Sequence, residues 1–91
     1  MNSTTLIEKE EIPQLHFRKS IQIEQSPDLH SKLLIATRLG NNHKGKIRIN
    51  FTDDEGGKAV ETTVWATGSK YICLKGGVWL PISRINSIKD V

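Results

Sequence analysis

The chain has 91 residues, a net charge of +3, 36% apolar and 25% charged residues, which sizes it as one small domain with a modest core. Its apolar residues fall in patterned runs, so it is not a disordered chain, and none of those runs reaches membrane-spanning length. A single cysteine, Cys73, excludes an internal disulfide framework. Its apolar setting predicts a buried structural thiol, in keeping with a reducing compartment.

Residues 1–13 are polar and acidic, lack the apolar stretch of a signal peptide, and end in Pro13. They read as a flexible acidic tail ahead of one β-rich domain over 14–91, and a cytoplasmic location is expected. From Leu15 to Glu24 the residues Leu15, Phe17, Ile21 and Ile23 share one parity, which predicts a strand that Lys19 interrupts. Ser26-Pro27-Asp28 then reads as a helix start: serine caps, proline suits the first position, and aspartate faces the positive end of the dipole. Leu29, Leu33, Ala36 and Leu39 form one helical face, and Gly40-Asn41-Asn42 is a stop signal. The expected helix covers about 27–39; its rival is a strand over 32–38 through Leu33-Leu34-Ile35-Ala36-Thr37.

The remainder reads as β-structure. Ile47, Ile49 and Phe51 alternate with Arg48, Asn50 and Thr52, as in a half-buried strand. Asp53-Asp54-Glu55-Gly56-Gly57 is a polar connection, and Val60–Thr67 is rich in β-branched residues. Gly68-Ser69 and Gly76-Gly77 read as two-residue turns around a strand from Tyr71 to Lys75. Val78–Ile82 follows, with Pro81 marking an edge or an end. Ile85 and Ile88 suggest a last short strand or a helical turn.

With two-residue turns, Leu74 falls opposite Trp79, Cys73 opposite Leu80 and Trp65 opposite Ile72. One face then holds Val64, Ala66, Tyr71, Cys73, Val78, Leu80 and Ile82. The other holds Trp65, Ile72, Leu74, Trp79 and Pro81. Both are apolar, whereas an open antiparallel sheet usually turns one polar side to water. Either the helix or the N-terminal strand covers the tryptophan face, or part of it stays exposed and docks a partner, a second copy being the simplest.

No catalytic or metal-binding constellation stands out. His16, His30 and His43 lack ligand spacing. Ser83 and Ser87 fit strand ends, and Asp53, Asp54 and Glu55 read as a solvated loop rather than a carboxylate pair. The glycine pairs are turns, not phosphate loops. No enzyme activity, cofactor, metal or small-molecule substrate is expected. From Leu29 to Thr52 the chain has five cations and no acid, and the loop-to-strand segment with Lys44, Lys46 and Arg48 is the candidate nucleic-acid contact, with Phe51 or a tryptophan to stack on a base. The acids at 53–55 follow it directly, which weakens a simple basic face.

The second half of the chain, from Lys-Ile-Arg-Ile-Asn-Phe-Thr (46–52) through Val-Glu-Thr-Thr-Val-Trp-Ala (60–66) and Tyr-Ile-Cys-Leu-Lys-Gly-Gly-Val-Trp-Leu-Pro-Ile (71–82) to Ser-Arg-Ile-Asn-Ser-Ile (83–88), resembles small SH3-like or Sm-like barrels. The preceding helix suits the Sm-like order and that of small barrels that bind the Rho terminator. The resemblance implies an α+β, mostly β fold: a partly open barrel of about five short antiparallel strands with one helix. It also implies binding of RNA or of an RNA-handling protein. The nucleotide-binding residues of the Sm family do not map onto this chain, so no site carries over. A non-enzymatic binding module is therefore expected, taking nucleic acid through the basic segment. The alternative is protein interaction or homo-oligomerisation through the tryptophan face. No membrane contact is expected.

Overall fold

The computed structural model describes residues 4–42 and 45–91. Over the described residues the chain is α+β and mostly β, with one α-helix and two sheets that do not close into a continuous barrel. No helix among the described residues is long and apolar enough to cross a membrane.

Strands β1 (Thr5–Ile7), β2 (Ile47–Thr52), β3 (Gly57–Thr62) and β7 (Ile85–Asp90) form a sheet in the order β1-β3-β2-β7. Strands β4 (Val64–Thr67), β5 (Tyr71–Leu74) and β6 (Val78–Pro81) form a second sheet in that order. One residue, Thr63, carries the chain from β3 into β4, and its carbonyl accepts the Lys75 N–H at 2.9 Å. A 3-10 turn at Ile82–Arg84 joins β6 to β7, which returns to pair with β2. Pro81 lies on the edge strand β6, where its missing N–H breaks no ladder.

The core lies between the two inner sheet faces. Strict alternation on β2 buries Ile47, Ile49 and Phe51, against Val60 and Ile85 of the same sheet. Val64, Ile72, Leu74 and Leu80 come from the second sheet, each 0% exposed.

The helix α1 (Leu29–Asn42) keeps the expected buried face but starts two residues late, Pro27 and Asp28 forming a turn ahead of it: Leu29, Leu33 and Ala36 are buried, and Thr37 Oγ1 donates to the Leu33 carbonyl at 2.8 Å. The competing strand over 32–38 does not form. The Leu29 N–H donates to the Ser26 carbonyl at 3.1 Å, and Asp28 pairs with Lys32 at 3.4 Å. The helix continues through Gly40-Asn41-Asn42, the expected stop; glycine near a helix end costs only about 1 kcal/mol relative to alanine. Leu39, assigned to the core face, is exposed.

Two N-terminal expectations are corrected. The segment read as a tail forms β1, which pairs parallel to β3, and then a 3-10 helix at Lys9–Gln14 whose Ile12 is 1% exposed. Ile12 has no apolar neighbour closer than Ile7 and Leu15, so no sequence window signals its burial. The segment 15–24 is not a strand, although Leu15 and Phe17 do pack on the core. Its backbone is held by side chains rather than by a ladder. The Arg18 and Lys19 N–H groups donate to the Asp54 carboxylate at 3.0–3.2 Å, and the Lys19 carbonyl accepts from Arg84.

The acidic turn is likewise not a solvated loop. Asp53 is 1% exposed, and its Oδ1 accepts the Glu55 and Gly56 N–H groups at 2.9 Å and Lys58 Nζ at 3.3 Å. Asp54 takes Arg84 at 2.7 Å, and only Glu55 faces solvent. Arg84 lies over the Phe17 ring, 5.7 Å from its centroid, and the Phe51 ring stands tilted to Phe17 at 6.2 Å.

Candidate functional site

The second sheet carries the site, and its register determines which residues reach it. The β5–β6 loop contains three residues, Lys75, Gly76 and Gly77, and not two. The Gly77 N–H closes a turn on the Leu74 carbonyl at 2.9 Å, and both glycines have positive φ, +90° and +83°, which glycine adopts without strain. The longer loop shifts the pairing by one residue. Cys73 therefore faces Trp79, and Ile72 faces Leu80. Because side chains alternate with period two, this moves Trp79 onto the face of Cys73, and Leu80 onto the face of Ile72.

The β4–β5 turn is centred on Ser69-Lys70, with the Gly68 N–H donating to the Tyr71 carbonyl at 2.8 Å. Ala66 then pairs with Cys73 and Thr67 with Ile72. Val64 pairs with Leu74, so Trp65 and Ala66 together oppose the single residue Cys73. This is a β-bulge. It turns both Trp65 and Ala66 outward and returns Thr67 to the inner side, where its hydroxyl meets Thr37 of α1 at 2.6 Å.

The outer face of the three-stranded sheet thus presents Trp65 at 45% exposure, Tyr71 at 49% and Trp79 at 59%, with Ala66, Cys73 and Pro81 around them. Of the five residues expected on an interaction face, Trp65, Trp79 and Pro81 lie there. Ile72 and Leu74 do not: both are 0% exposed in the core, the direct result of the one-residue shift. Tyr71, placed with the opposite face by the two-residue turns, joins the tryptophans. Cys73 is a free, partly buried thiol rather than a fully buried one. The α-helix packs on the other side of β4, so it does not cover this face.

The basic segment is less suited to a ligand. Lys46 is exposed, but Arg48 lies across from Glu61 on β3 and pairs with it at 3.5 Å; Lys44 lies outside the described residues. His16 and His30 are exposed and far from any ligand set, and no group of three or more metal-ligating side chains occurs among the described residues. His43 also lies outside the described residues.

A cleft of about 390 Å³ between α1 and β7 is lined by Ile35, Ala36, Leu39, Ile47 and Ile88 together with Lys32, Lys89 and Asp90. It is apolar but holds no aromatic ring. At the end of the aromatic face, beside Tyr71, an open depression of about 460 Å³ is lined by Ser69, Lys70, Pro81, Ile82 and Ser83. Comparison with protein-family models, with curated proteins and with solved structures found no match.

Proposed function

We propose that this chain is a non-enzymatic binding module whose ligand docks on the outer face of β4, β5 and β6. The observation that carries the reading is the bulge at Trp65-Ala66, which sets Trp65 on the same outer surface as Tyr71 and Trp79. Bulges re-aim side chains at functional sites, and a contiguous exposed aromatic surface marks an interaction site. The carboxylates of the acidic turn support a non-enzymatic reading, because Asp53 and Asp54 are engaged in holding the backbone.

We also read the two sheets as halves of a partly open SH3-like barrel. In support, β3 runs into β4 through Thr63, a 3-10 turn links β6 to β7, and β7 returns to β2. A cytoplasmic location fits the free thiol at Cys73.

If the aromatic face serves docking rather than folding, removing its rings leaves the fold intact. The Trp65→Ala/Trp79→Ala double variant is expected to lose less than about 1 kcal/mol in denaturant unfolding, as exposed substitutions do. A loss of roughly 3 kcal/mol or more, the signature of a truncated core aromatic, would show that the face is covered and overturn the reading.

A further inference from the structure

The aromatic face has a charge pattern, and the two together select an occupant. From Thr62 to Lys89 the chain contains Lys70, Lys75, Arg84 and Lys89 and no acid. Arg84 is buried against Asp54, but Lys70 and Lys75 are exposed at opposite ends of β5, the central strand of the face. The 3-10 helix beside β6 is acidic: Glu10 pairs with Lys9 at 3.0 Å, whereas Glu8 and Glu11 keep their charge, so the cations of the face lie on β5 and its turns and not on this border. The tryptophans stand on either side of Cys73, two strand spacings or roughly 10 Å apart, and Tyr71 lies two residues along β5.

We propose that the occupant is a single-stranded nucleic acid. Its bases stack on Trp65, Tyr71 and Trp79, and its phosphates are neutralised by Lys70 and Lys75. The depression beside Tyr71, which Ser69, Lys70 and Ser83 help to line, accepts sugar and phosphate oxygens. This inference rests on the reading of the face as the docking surface and adds the ligand class.

Two competing occupants fit the charge less well. A second copy docking through the same face would bring Lys70 and Lys75 against their own counterparts with no acid on the face to pair with them, and like charges juxtaposed at an interface oppose association. A protein partner is a weaker match because protein interface cores are enriched in aromatic residues but depleted in lysine. Aromatic platforms flanked by cations are what single strands use, and stacking is tolerant of sequence because every base has a π-face.

The test titrates the full chain with oligo(dT) and oligo(U) of roughly 12 nucleotides, a length within the range of small sheet-based binders. Both oligonucleotides are expected to quench tryptophan fluorescence saturably at low salt. The plot of log K against log salt should fall with a slope of about −1.4, from about −0.7 per phosphate contact on single strands. The Lys70→Ala/Lys75→Ala variant should flatten that slope. Trp65→Ala/Trp79→Ala, followed by labelled-oligonucleotide anisotropy, should weaken binding by about 10-fold or more and leave the slope in place.

Absence of quenching at low salt, with both tryptophans still open to acrylamide, would overturn the nucleic-acid inference and leave the docking face standing. Concentration-dependent shielding of the tryptophans with dimer in light scattering would do the same in favour of a second copy. Binding that survives in the tryptophan variant and vanishes in Lys46→Ala/Arg48→Ala would also overturn it, placing the contact on β2. Tryptophans shielded in the monomer would remove both readings.

Discussion

Arg84→Ala is expected to cost about 3–5 kcal/mol, the range for removing one partner of a buried charged network. Arg84 is 4% exposed. Its guanidinium donates to the Thr52 carbonyl at 3.1 Å, to the Lys19 carbonyl, and to Asp54 Oδ1 at 2.7 Å. It also lies over the Phe17 ring. One side chain therefore ties the end of β2, the acidic turn and the irregular segment 15–24 to the start of β7. Truncation removes this donor from two carbonyls and strips the Asp54 carboxylate of its cation, leaving it only the Arg18 and Lys19 N–H groups. A domain of this size has roughly 5–15 kcal/mol of stability in total, so the variant should be largely unfolded at modest urea concentrations. Arg84→Lys should rescue little, because a single ammonium cannot reproduce the planar fork that serves three acceptors. An unfolding free energy within about 0.5 kcal/mol of the parent's, the range of ordinary surface changes, would contradict this account.

The same network sets the acid limit of the fold. Burial opposes the charge on Asp54, but the Arg84 hydrogen bond, the Arg18 and Lys19 N–H groups and the Arg84 charge outweigh it and hold the carboxyl below its ordinary value of 3.8. A carboxyl lowered on folding contributes stability that is complete above its unfolded value and lost as pH falls through the folded one. Stability is therefore expected to hold from neutral pH down to about pH 4 and to decline below it. In Arg84→Ala that decline should be shallower, because the largest stabiliser of the ionised form is gone. Urea unfolding of both chains at pH 3 and pH 6 reads the difference.

Ile12→Ala is the second large effect, expected at about 2–5 kcal/mol for a truncated, fully buried isoleucine. Ile12 sits at 1% exposure within the 3-10 helix, which packs against β6 and β3. Its neighbour Glu11→Ala removes only a solvent-side hydrogen bond to the Glu8 N–H and should cost less than about 1 kcal/mol. The contrast separates an N-terminal segment that completes the core from a tail that merely precedes it. Equal, small effects from both substitutions would show that the segment is not docked.

The sequence pattern was a good guide wherever it was local. Leu29, Leu33 and Ala36 mark the buried face of α1 by their spacing, and Ile47, Ile49 and Phe51 mark that of β2 by alternation. It failed where a distant residue decides the conformation. Leu15, Phe17, Ile21 and Ile23 alternate like a strand, but Asp54 and Arg84, more than thirty residues away, take the hydrogen bonds that a ladder would need. It also failed where one turn residue sets a register. The choice between a two- and a three-residue loop at Gly76-Gly77 moves Ile72 and Leu74 into the core and Tyr71 out beside the tryptophans. The bulge at Trp65-Ala66 has no signature in the sequence, yet it determines how Trp65 joins the site. The sequence marks both tryptophans as candidates but not the residues that share their face.

The most direct measurement is acrylamide quenching of tryptophan fluorescence in the folded chain, at concentrations where light scattering shows a monomer. Trp65 and Trp79 are the only tryptophans in the sequence, so the signal reports this face alone. The account predicts substantial quenching of both rings, as exposures of 45% and 59% require. Protection of either ring in the folded monomer would contradict it.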